Sequence, residues 1–308
     1  MFVFLFLSPL PPGEEGAGDG GKFIKSYDKT MLLTAITTPL LHPGDDLAKI
    51  LFDCENVQDG DIIVISSKAI ATIENAFVRL DQIHVSEEAT TWSKKTGRSP
   101  AFCEATLTEM QRLHGTIVGD CPGALLTEVR PDGLRMGSIL IANAGLDESN
   151  VPKGSALGWP KDPVLSAKEL RRNLETMIMR KRKQRIQRKY SSESSASSES
   201  SESSLLSVII TDSCCRPRRL GVTAFAMTVS GFDPLANQAG RKDLFGKSLR
   251  ITTEAVADQL ATAANFLMGN AGQSTPAVII RDHGIPFSDF EGWVDGIEPE
   301  EDLFRGIV

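Results

Sequence analysis

Apolar and polar positions alternate along the chain in blocks that predict both strands and helices. The apolar run at 61–67 follows a Gly-Asp turn and predicts a buried strand, and the run at 138–145 predicts a second one. Other apolar runs continue the alternation at 207–212, 221–231 and 277–282. Helical spacing of apolar side chains appears at 104–114, 165–190 and 252–269. Together these blocks predict a mixed α/β (α+β) fold.

The predicted helix at 165–190 changes character along its length. Its first part carries apolar side chains at helical spacing, whereas its second part is overwhelmingly basic and runs into a Ser/Glu repeat. Such a repeat buries too little apolar surface to order itself. We therefore predict a disordered basic and Ser-rich insert at 181–206, between the 31–180 and 207–290 parts of one domain. A nuclear-localisation or phospho-regulated segment is the alternative to a solvated linker.

The two ends of the chain stand apart from this domain. Residues 1–30 begin with an apolar stretch that is too short to span a bilayer and lacks a basic start, and a Gly/Glu-rich spacer follows it. We expect a disordered extension or a start codon assigned too early, because Met31 begins a new apolar run. A transit or anchor segment is the alternative. Residues 291–308 are assigned to a C-terminal tail.

Composition and charge narrow the class of partner. The chain has 308 residues, of which 41% are hydrophobic and 24% charged, so it can form one large domain or two lobes. A net charge of −7 argues against a general nucleic-acid binder, and we expect neither a nucleic-acid nor a membrane partner. The five cysteines are scattered apart from the adjacent Cys214 and Cys215, and they match no zinc spacing, which favours a reducing cytoplasm.

One motif resembles a phosphate-binding loop but has the wrong spacing. Residues 240–248 end in Gly-Lys-Ser, as a Walker A loop does. Five residues rather than four separate Gly240 from Gly246, and no buried strand leads into the segment. We interpret it as a surface loop.

Three short polar segments are better candidates for a site, since each lies at or just beyond an apolar element. They are residues 143–151, 211–217 and 268–276. In open α/β sheets, ligands gather beyond the carboxyl ends of strands. Oxygen ligands suitable for Mg²⁺ are available from Asp147, Asp212, Ser213 and Asn270. The alternative for the first two segments is a helix cap and an Asx turn.

These segments resemble the coenzyme F420-0:L-glutamate ligases, a family of nucleotide-dependent γ-glutamyl ligases. The family pattern N-A-G-[IL]-D-x-S-N-V is matched at 143–151, I-T-D-[ST] at 210–213, and M-G-x-A before a proline at 268–271. The likeness runs from Met31 to Asp282 apart from the Ser-rich insert. It includes further matches at 43–47, 64–69 and 229–246. The resemblance implies a two-lobed F420 ligase-like fold that pairs as a homodimer.

The resemblance also implies a role for each matched residue. Asp147, Asp212 and Ser213 would bind metal, and Asn270 would approach a second metal at a position where Gln or Glu is usual. Nucleotide-binding residues are implied at Pro39, Leu40, Ser67, Lys68, Asn150, Met268, Gly269, Asn270 and Ala271. Asp147 and Asp212 would serve catalysis by holding the cations. Arg216 is either a clamp for a substrate carboxylate or phosphate or a member of a surface ion pair.

The chemistry implied by the family is an amide ligation. GTP phosphorylates a substrate carboxylate to an acyl phosphate, which the amine of L-glutamate then attacks. Mg²⁺ or Mn²⁺ is the implied metal, and K⁺ is a further candidate. The resemblance leaves open whether the acceptor is coenzyme F420-0 or a folate.

Departures from the family pattern follow Lys68. Relatives read S-K-x-E-G-[RK], whereas this chain has Ile70, Ala71 and Thr72 in the last three places. The lost carboxylate, glycine and cation leave a second interpretation open, a catalytically weakened paralogue that binds a nucleotide or pterin-like ligand and acts through partners. Glu74 is a candidate to replace the lost carboxylate.

Overall fold

The computed structural model describes residues 30–190, 205–250 and 253–306. The predicted N-terminal extension, apart from Thr30, and the Ser/Glu repeat at 191–204 therefore lie outside the described residues. The helices are α1 (Leu47–Cys54), α2 (Ser67–Ile73), α3 (Glu87–Thr96), α4 (Pro100–Arg112), α5 (Pro163–Tyr190) and α6 (Val256–Met268). The strands are β1 (Leu32–Ile36), β2 (Ile62–Ser66), β3 (Phe77–Arg79), β4 (Thr116–Cys121), β5 (Ala124–Val129), β6 (Ile139–Ala142), β7 (Ser155–Leu157), β8 (Ser207–Cys215), β9 (Val222–Ser230), β10 (Ala236–Asn237), β11 (Thr253–Glu254), β12 (Ala277–Arg281) and β13 (Glu291–Trp293).

A six-stranded mixed sheet forms the centre of the molecule, in the order β1-β12-β2-β8-β9-β13. The β2 and β8 strands are parallel, and the other neighbours are antiparallel. Both faces are covered. Ile63 and Ile210 pack with α1 and α5 on one face, whereas Val64 and Ile209 pack with α6 on the other. Burial on both faces explains why residues 62–65 of β2 and 208–210 of β8 are continuously apolar in sequence, without the alternation of a half-exposed strand.

A second, smaller lobe lies between β2 and β8 in the chain. It contains the antiparallel sheet β4-β5-β6, the helices α3 and α4, and the two-stranded ribbon β3-β7. Phe102 and Leu107 of α4 belong to two small apolar clusters of this lobe. The α/β class and the two lobes predicted from the sequence are thereby confirmed.

Three elements predicted from the sequence differ from those in the structure. Residues 139–142 form β6 in the small sheet, and only Ile141 in that strand is buried, so the prediction of a second buried core strand there was wrong. The α6 helix begins at Val256, since Thr253 and Glu254 pair with the short strand β10. The β8 strand continues past the predicted end at residue 212 to Cys215. Long-range pairing, which a local pattern does not contain, decides all three.

The long helix is present but extends further than the predicted domain boundary. Leu170, Leu174 and Ile178 are buried at four-residue spacing, which anchors the first half of α5 against the main sheet. The helix then continues through the basic residues to Tyr190, ten residues beyond the boundary placed at 180. The core resumes at Leu206, which is fully buried. None of the described helices combines the length and apolarity needed to cross a membrane.

Candidate active site

A cavity of about 1130 Å³ lies at one edge of the main sheet. At this edge β1 ends at Ile36, β2 ends at Ser66, and β12 begins at Ala277, which pairs with both Ile36 and Ile65. Ser66 also pairs with Thr211 of the parallel strand β8. Because β8 continues four residues beyond this pairing, Asp212 and Ser213 have no β2 neighbour, and both line the cavity. Residues of all three polar segments singled out in the sequence line this cavity.

Most of the predicted site residues line this cavity. They are Pro39, Leu40, Lys68, Asp147, Asn150, Asp212, Ser213, Met268, Gly269, Asn270 and Ala271. Two do not. Ser67 is buried in the first turn of α2, and Arg216 is exposed beyond the end of β8. Arg216 is therefore not placed to clamp a ligand inside the cavity.

Lys68 and Asp147 form an ion pair inside the cavity. Lys68 also donates to Ser149 Oγ at 2.8 Å, and Ser149 donates through Oγ and its backbone N–H to the two carboxylate oxygens of Asp147 at 2.7 and 2.9 Å. The segment is thus an Asx turn and not the helix cap considered from the sequence. Reciprocal backbone bonds to Leu157, at 3.0 and 2.8 Å, hold Asp147 against β7.

Asp212 lies within β8, opposite Phe225 of β9, and not in a turn. Alternation along the strand directs it to the same face as Ile210, toward the cluster that contains Trp159. Trp159 Nε1 donates to Asp212 Oδ2 at 2.6 Å, and the Ser213 backbone N–H donates to Oδ1 at 2.8 Å. The strand therefore presents a half-buried carboxylate to the cavity, where an indole holds one of its oxygens.

The two carboxylates differ in acidity because their surroundings differ. Burial disfavours ionisation of Asp147, yet the hydrogen bonds from Lys68 and Ser149 outweigh it and lower the pKa. Burial raises the pKa of Asp212, and the negative charge of Asp147 adds to this effect. The hydrogen bonds from Trp159 and Ser213 and the positive charge of Lys68 act in the opposite direction without cancelling it. An additional cation at this position would therefore stabilise the ionised form of Asp212.

The donor set fits a hard divalent cation. Carboxylate, hydroxyl and amide oxygens come from Asp147, Asp212, Ser213 and Asn270, all of which line the cavity. In the parts of the chain that the structure describes, no group of three or more His, Cys, Asp or Glu side chains gathers to form a complete protein shell. A cation here would take part of its shell from oxygens outside these carboxylates, as Mg²⁺ does when it is bound together with phosphates.

Hydrogen bonds between loops shape the rest of the cavity wall. The Thr38 N–H donates to the Ser274 carbonyl oxygen at 2.9 Å, and the Ser66 N–H donates to that of Pro276 at 2.9 Å. Asn150 Nδ2 reaches the Ala271 carbonyl oxygen at 3.4 Å, which joins the loop of the small lobe to that of the main sheet. The loops that form this wall are therefore hydrogen-bonded directly to one another.

Gly269 allows the turn after α6. Its φ of +68° lies in the region that favours glycine, and an added Cβ would come within 2.5 Å of the Gln273 amide. Gln273 in turn accepts from the Ala271 N–H at 2.8 Å. The Met-Gly-Asn-Ala segment is thus held in one conformation by its own loop.

The positions that depart from the family pattern have distinct places. Ile70 and Ala71 are buried in α2, whereas Thr72 lines the cavity. Glu74 follows the end of α2 and accepts from Ser166 Oγ at 2.5 Å, and it is not among the cavity-lining residues. Glu74 therefore does not replace the carboxylate missing at Ile70.

The Gly-Lys-Ser loop forms a small turn of its own. The Gly240 N–H donates to Leu249 O, and Asp243 accepts the backbone N–H groups of Phe245 and Lys247 at 2.9 Å. None of residues 240–248 lines the main cavity. The interpretation as a surface loop agrees with this placement.

Sequence reasoning missed three residues of the site. Ser149 and Trp159 contact the two carboxylates, and Arg79 of β3 lines the cavity. Ser149 stood inside a matched motif, so its two-residue spacing from Asp147 was an available signal. No motif or spacing pointed to Trp159 or Arg79, because their positions depend on how the small lobe packs against β8.

Comparison with known proteins identifies the family of the chain. The sequence model of the F420-0:gamma-glutamyl ligase family matches residues 35–183 and 199–282. A coenzyme F420:L-glutamate ligase of Methanopyrus kandleri is 35% identical over 266 residues, which cover 86% of each chain. A protein of the same name from Methanothermobacter thermautotrophicus is 34% identical over 87% of this chain and 96% of its own. One from Archaeoglobus fulgidus is 34% identical over 87% of this chain and 93% of its own. The chain therefore belongs to the F420-0:gamma-glutamyl ligase family.

Proposed function

We propose that this protein joins L-glutamate to a carboxylate of coenzyme F420-0 in a reaction that consumes GTP and requires a divalent cation. The observation that carries the proposal is the pair Asp147 and Asp212, two carboxylates from different lobes that line one cavity together with Lys68. Family membership supports the γ-glutamyl ligation, and the relatives' names support F420-0 as the acceptor.

The proposed reaction has two steps. The acceptor carboxylate attacks the γ-phosphorus of GTP, a P–O bond to GDP breaks, and an acyl phosphate forms. The amine of L-glutamate then attacks the acyl carbon, a C–N bond forms, and inorganic phosphate and a proton leave. Phosphoryl transfer depends chiefly on positioning and charge neutralisation, which agrees with a site that presents charged groups without a nucleophile triad.

The chain's own residues supply positioning and charge in this scheme. Asp147, Asp212, Ser213 and Asn270 would hold Mg²⁺ or Mn²⁺, with K⁺ as a further candidate, and the bound cation would neutralise phosphate oxygens. Lys68 is held beside Asp147 and would contact a phosphate as a point charge. Trp159 keeps one oxygen of Asp212 in a fixed orientation.

The nucleotide is proposed to bind along the loops from the main sheet. Leu40 is 80% exposed although it is apolar, and it lines the cavity together with Pro39. An apolar side chain in this place is suited to pack against a flat base. Met268, Gly269 and Ala271 form the adjoining wall, and Asn150 closes it from the small lobe.

Mass spectrometry of the product tests the proposal directly. Protein is incubated with GTP, Mg²⁺ or Mn²⁺, L-glutamate and either F420-0 or a reduced folate. Addition of glutamate to F420-0 is the expected result, whereas addition to the folate alone would change the acceptor. Asp212→Asn is the matched control, because it keeps the side-chain shape and removes the charge. We expect its turnover to fall at least about a hundredfold while its unfolding temperature stays close to that of the wild type.

A second candidate function rests on the residues after Lys68. Thr72 lines the cavity at a position where relatives carry a cation, so a weakened paralogue that binds nucleotide without turnover is the competing interpretation. GTP binding that requires a divalent cation, without product from either acceptor, would favour it over the ligase.

Homodimer formation is proposed as well. Leu220, Leu244, Phe245 and Phe266 are large apolar side chains that are each more than two-thirds exposed in the single chain. Burial of such side chains in a subunit interface would remove this apolar surface from water.

A further inference from the structure

The ribbon β3-β7 presents one of its two faces to the cavity. Side chains two residues apart on a strand point the same way, and cross-strand partners share a face. Phe77 pairs with Leu157 and Arg79 with Ser155. All four side chains line the cavity, whereas Val78 and Ala156 on the other face belong to an apolar cluster of the small lobe. The face of the ribbon that packs on the small lobe is thus apolar. The face toward the cavity carries an aromatic ring, a hydroxyl and a guanidinium.

This face begins beside the acidic centre. Asp147 bridges to Leu157, which pairs with Phe77, so these three residues form one transverse row. Arg79 and Ser155 form the next row on the same face, about 7 Å further along the strands. Arg79 therefore belongs to the row next to the acidic centre on the same face of the ribbon.

Asp81 orients the guanidinium of Arg79 and leaves some of its N–H donors unused. Asp81 accepts from Nε at 3.2 Å and from Nη2 at 2.9 Å. Two of the five guanidinium N–H donors are used in this way, and three remain. The side chain is 57% exposed. Lys68 and Arg79 are the only lysine or arginine residues among the described residues that line the cavity. Lys68 already contacts Asp147 and Ser149.

We propose that Arg79 binds a non-reacting carboxylate of one of the two substrates that are joined, L-glutamate or the acceptor. The inference rests on the proposed function and adds a substrate-binding residue to it. A guanidinium matches a carboxylate through two parallel N–H···O bonds, and Asp81 holds its plane for this contact. Phosphates are bound nearer the carboxylates that hold the cation, one row away. Phe77 covers the apolar part of the same substrate.

Steady-state kinetics with each substrate varied in turn test the proposal. Arg79→Gln is expected to raise the KM for L-glutamate or for the acceptor by about tenfold or more, and to leave the KM for GTP within about twofold. Arg79→Lys, which keeps the charge but loses the paired donors, should lie between the wild type and Arg79→Gln. The matched control is Arg135→Gln. Arg135 makes the same two-bond contact with Asp295 but does not line the cavity, so all three KM values should stay at the wild-type level.

The substrate whose KM moves identifies the source of the carboxylate. A comparison of L-glutamate with L-glutamine as substrate checks that source. If the wild-type enzyme prefers glutamate and Arg79→Gln does not, Arg79 contacts the side-chain carboxylate of glutamate. An unchanged KM for both carboxylate substrates would overturn the proposal, and so would an increase confined to GTP.

A direct binding measurement separates this proposal from the ligase itself. If the wild-type protein forms no product, calorimetric titration with L-glutamate and with F420-0 replaces kinetics. Binding that weakens about tenfold in Arg79→Gln but not in Arg135→Gln would support the carboxylate site even though the ligase proposal had failed. Absence of binding, or equal binding by both variants, would overturn it.

Discussion

Asp147 and Asp212 are the same type of side chain in two different surroundings. Lys68 and Ser149 donate to Asp147 and keep its pKa low despite partial burial, whereas burial raises the pKa of Asp212. Trp159 is the residue that orients the second carboxylate. Its ring is 3% exposed and packs against Phe225 and Trp293, so the indole N–H has little freedom to leave Asp212.

Trp159→Phe should weaken the site without disturbing the core. The ring packing is largely retained, but Asp212 loses a buried donor, and hydrogen bonds to charged groups are worth about 1.5–3 kcal/mol. We expect the dissociation constant for Mn²⁺, measured by the electron paramagnetic resonance signal of the free ion, to rise about tenfold or more. A positioning role predicts this change together with a lower kcat.

Trp293→Phe is the matched control, because its indole Nε1 donates to the Asp132 carbonyl oxygen and packs against Trp159. It should lose similar packing but keep Mn²⁺ affinity. If both variants lost affinity to the same extent, Trp159 would have a packing role alone.

His283 is a buried histidine with a structural role. Burial lowers its pKa, and the charges of Asp61 and Asp282 offset this only in part. The Ile285 N–H donates to Nδ1 at 3.0 Å and Nε2 lies 2.9 Å from the Gly60 carbonyl oxygen, so the neutral ring satisfies both partners. Because the folded-state pKa is lower than the unfolded one, the unfolded chain takes up the proton first and stability is lost as the pH falls.

Urea unfolding at several pH values checks this sign. The free energy of unfolding should fall between about pH 7 and pH 5, around and below the ordinary histidine pKa of about 6.5. His283→Gln should be less stable at pH 7 and should depend less on pH, whereas the exposed His84→Gln should keep the wild-type slope. A slope that is unchanged in His283→Gln would contradict the assignment.

At the scale of elements, α5 shows where the core stops and the insert begins. Leu174 and Ile178 anchor the helix, and the basic residues that follow are mostly exposed. Asp59 contacts both sides of the segment, since Arg182 reaches its Oδ2 at 3.2 Å and the Leu205 N–H donates to its Oδ1 at 2.6 Å. The chain therefore leaves the core and re-enters it at neighbouring points. The family match stops at 183 and resumes at 199, on the same segment.

Replacing residues 183–204 with a short Gly/Ser linker should leave the protein folded and able to bind GTP. The two contacts to Asp59 indicate a gap that a few residues can span, at about 3.3 Å each. We expect the free energy of unfolding to change by less than about 1 kcal/mol.

Leu174→Ala provides the comparison, because removing a fully buried leucine costs about 2–5 kcal/mol. Loss of soluble protein on replacement of 183–204 would show instead that the segment is needed for folding.

At the scale of the whole molecule, the cavity is built where two lobes meet. The main sheet provides Lys68, Asp212 and the loop after α6, whereas the small lobe provides Asp147 and Arg79. Lys68 with Asp147, and Asn150 with Ala271, join the two parts across the cavity. Ligands that contact both lobes would therefore also stabilise their relative arrangement.

The exposed apolar side chains belong to this scale too. Sedimentation velocity of the wild-type protein is expected to give a dimer. The double substitution Leu244→Ser and Phe245→Ser should raise the dimer dissociation constant about tenfold or more, since two large apolar side chains are removed from a proposed interface.

Leu303→Ser is the control, because Leu303 is equally exposed but lies near the C-terminal end of the described chain. A wild-type protein that sediments as a monomer over the tested concentrations would reject the dimer.

Local patterns were sufficient for much of the fold. The strands at 62–66 and 277–281 and the helices α4 and α5 follow from apolar spacing, because both depend on neighbours in sequence. The exposure of β6 and the extension of β8 past Asp212 did not follow, since they depend on which strand lies alongside. Among the residues around the cavity, Asp147, Asp212 and Asn150 had been singled out through motifs, whereas Trp159 was missed. Arg216, for which a clamp and a surface ion pair were both considered, is exposed outside the cavity.

The sequence by itself determined the α/β class, the insert and the segments that carry Asp147, Asp212 and Asn270, because these depend on composition, spacing and short motifs. Only the tertiary structure decided that Trp159 donates to Asp212, that Glu74 is engaged elsewhere, and that Arg79 enters the cavity. Each of these contacts joins residues of different elements. Their distances depend on how the lobes pack, which is a property of the whole chain and not of any one segment.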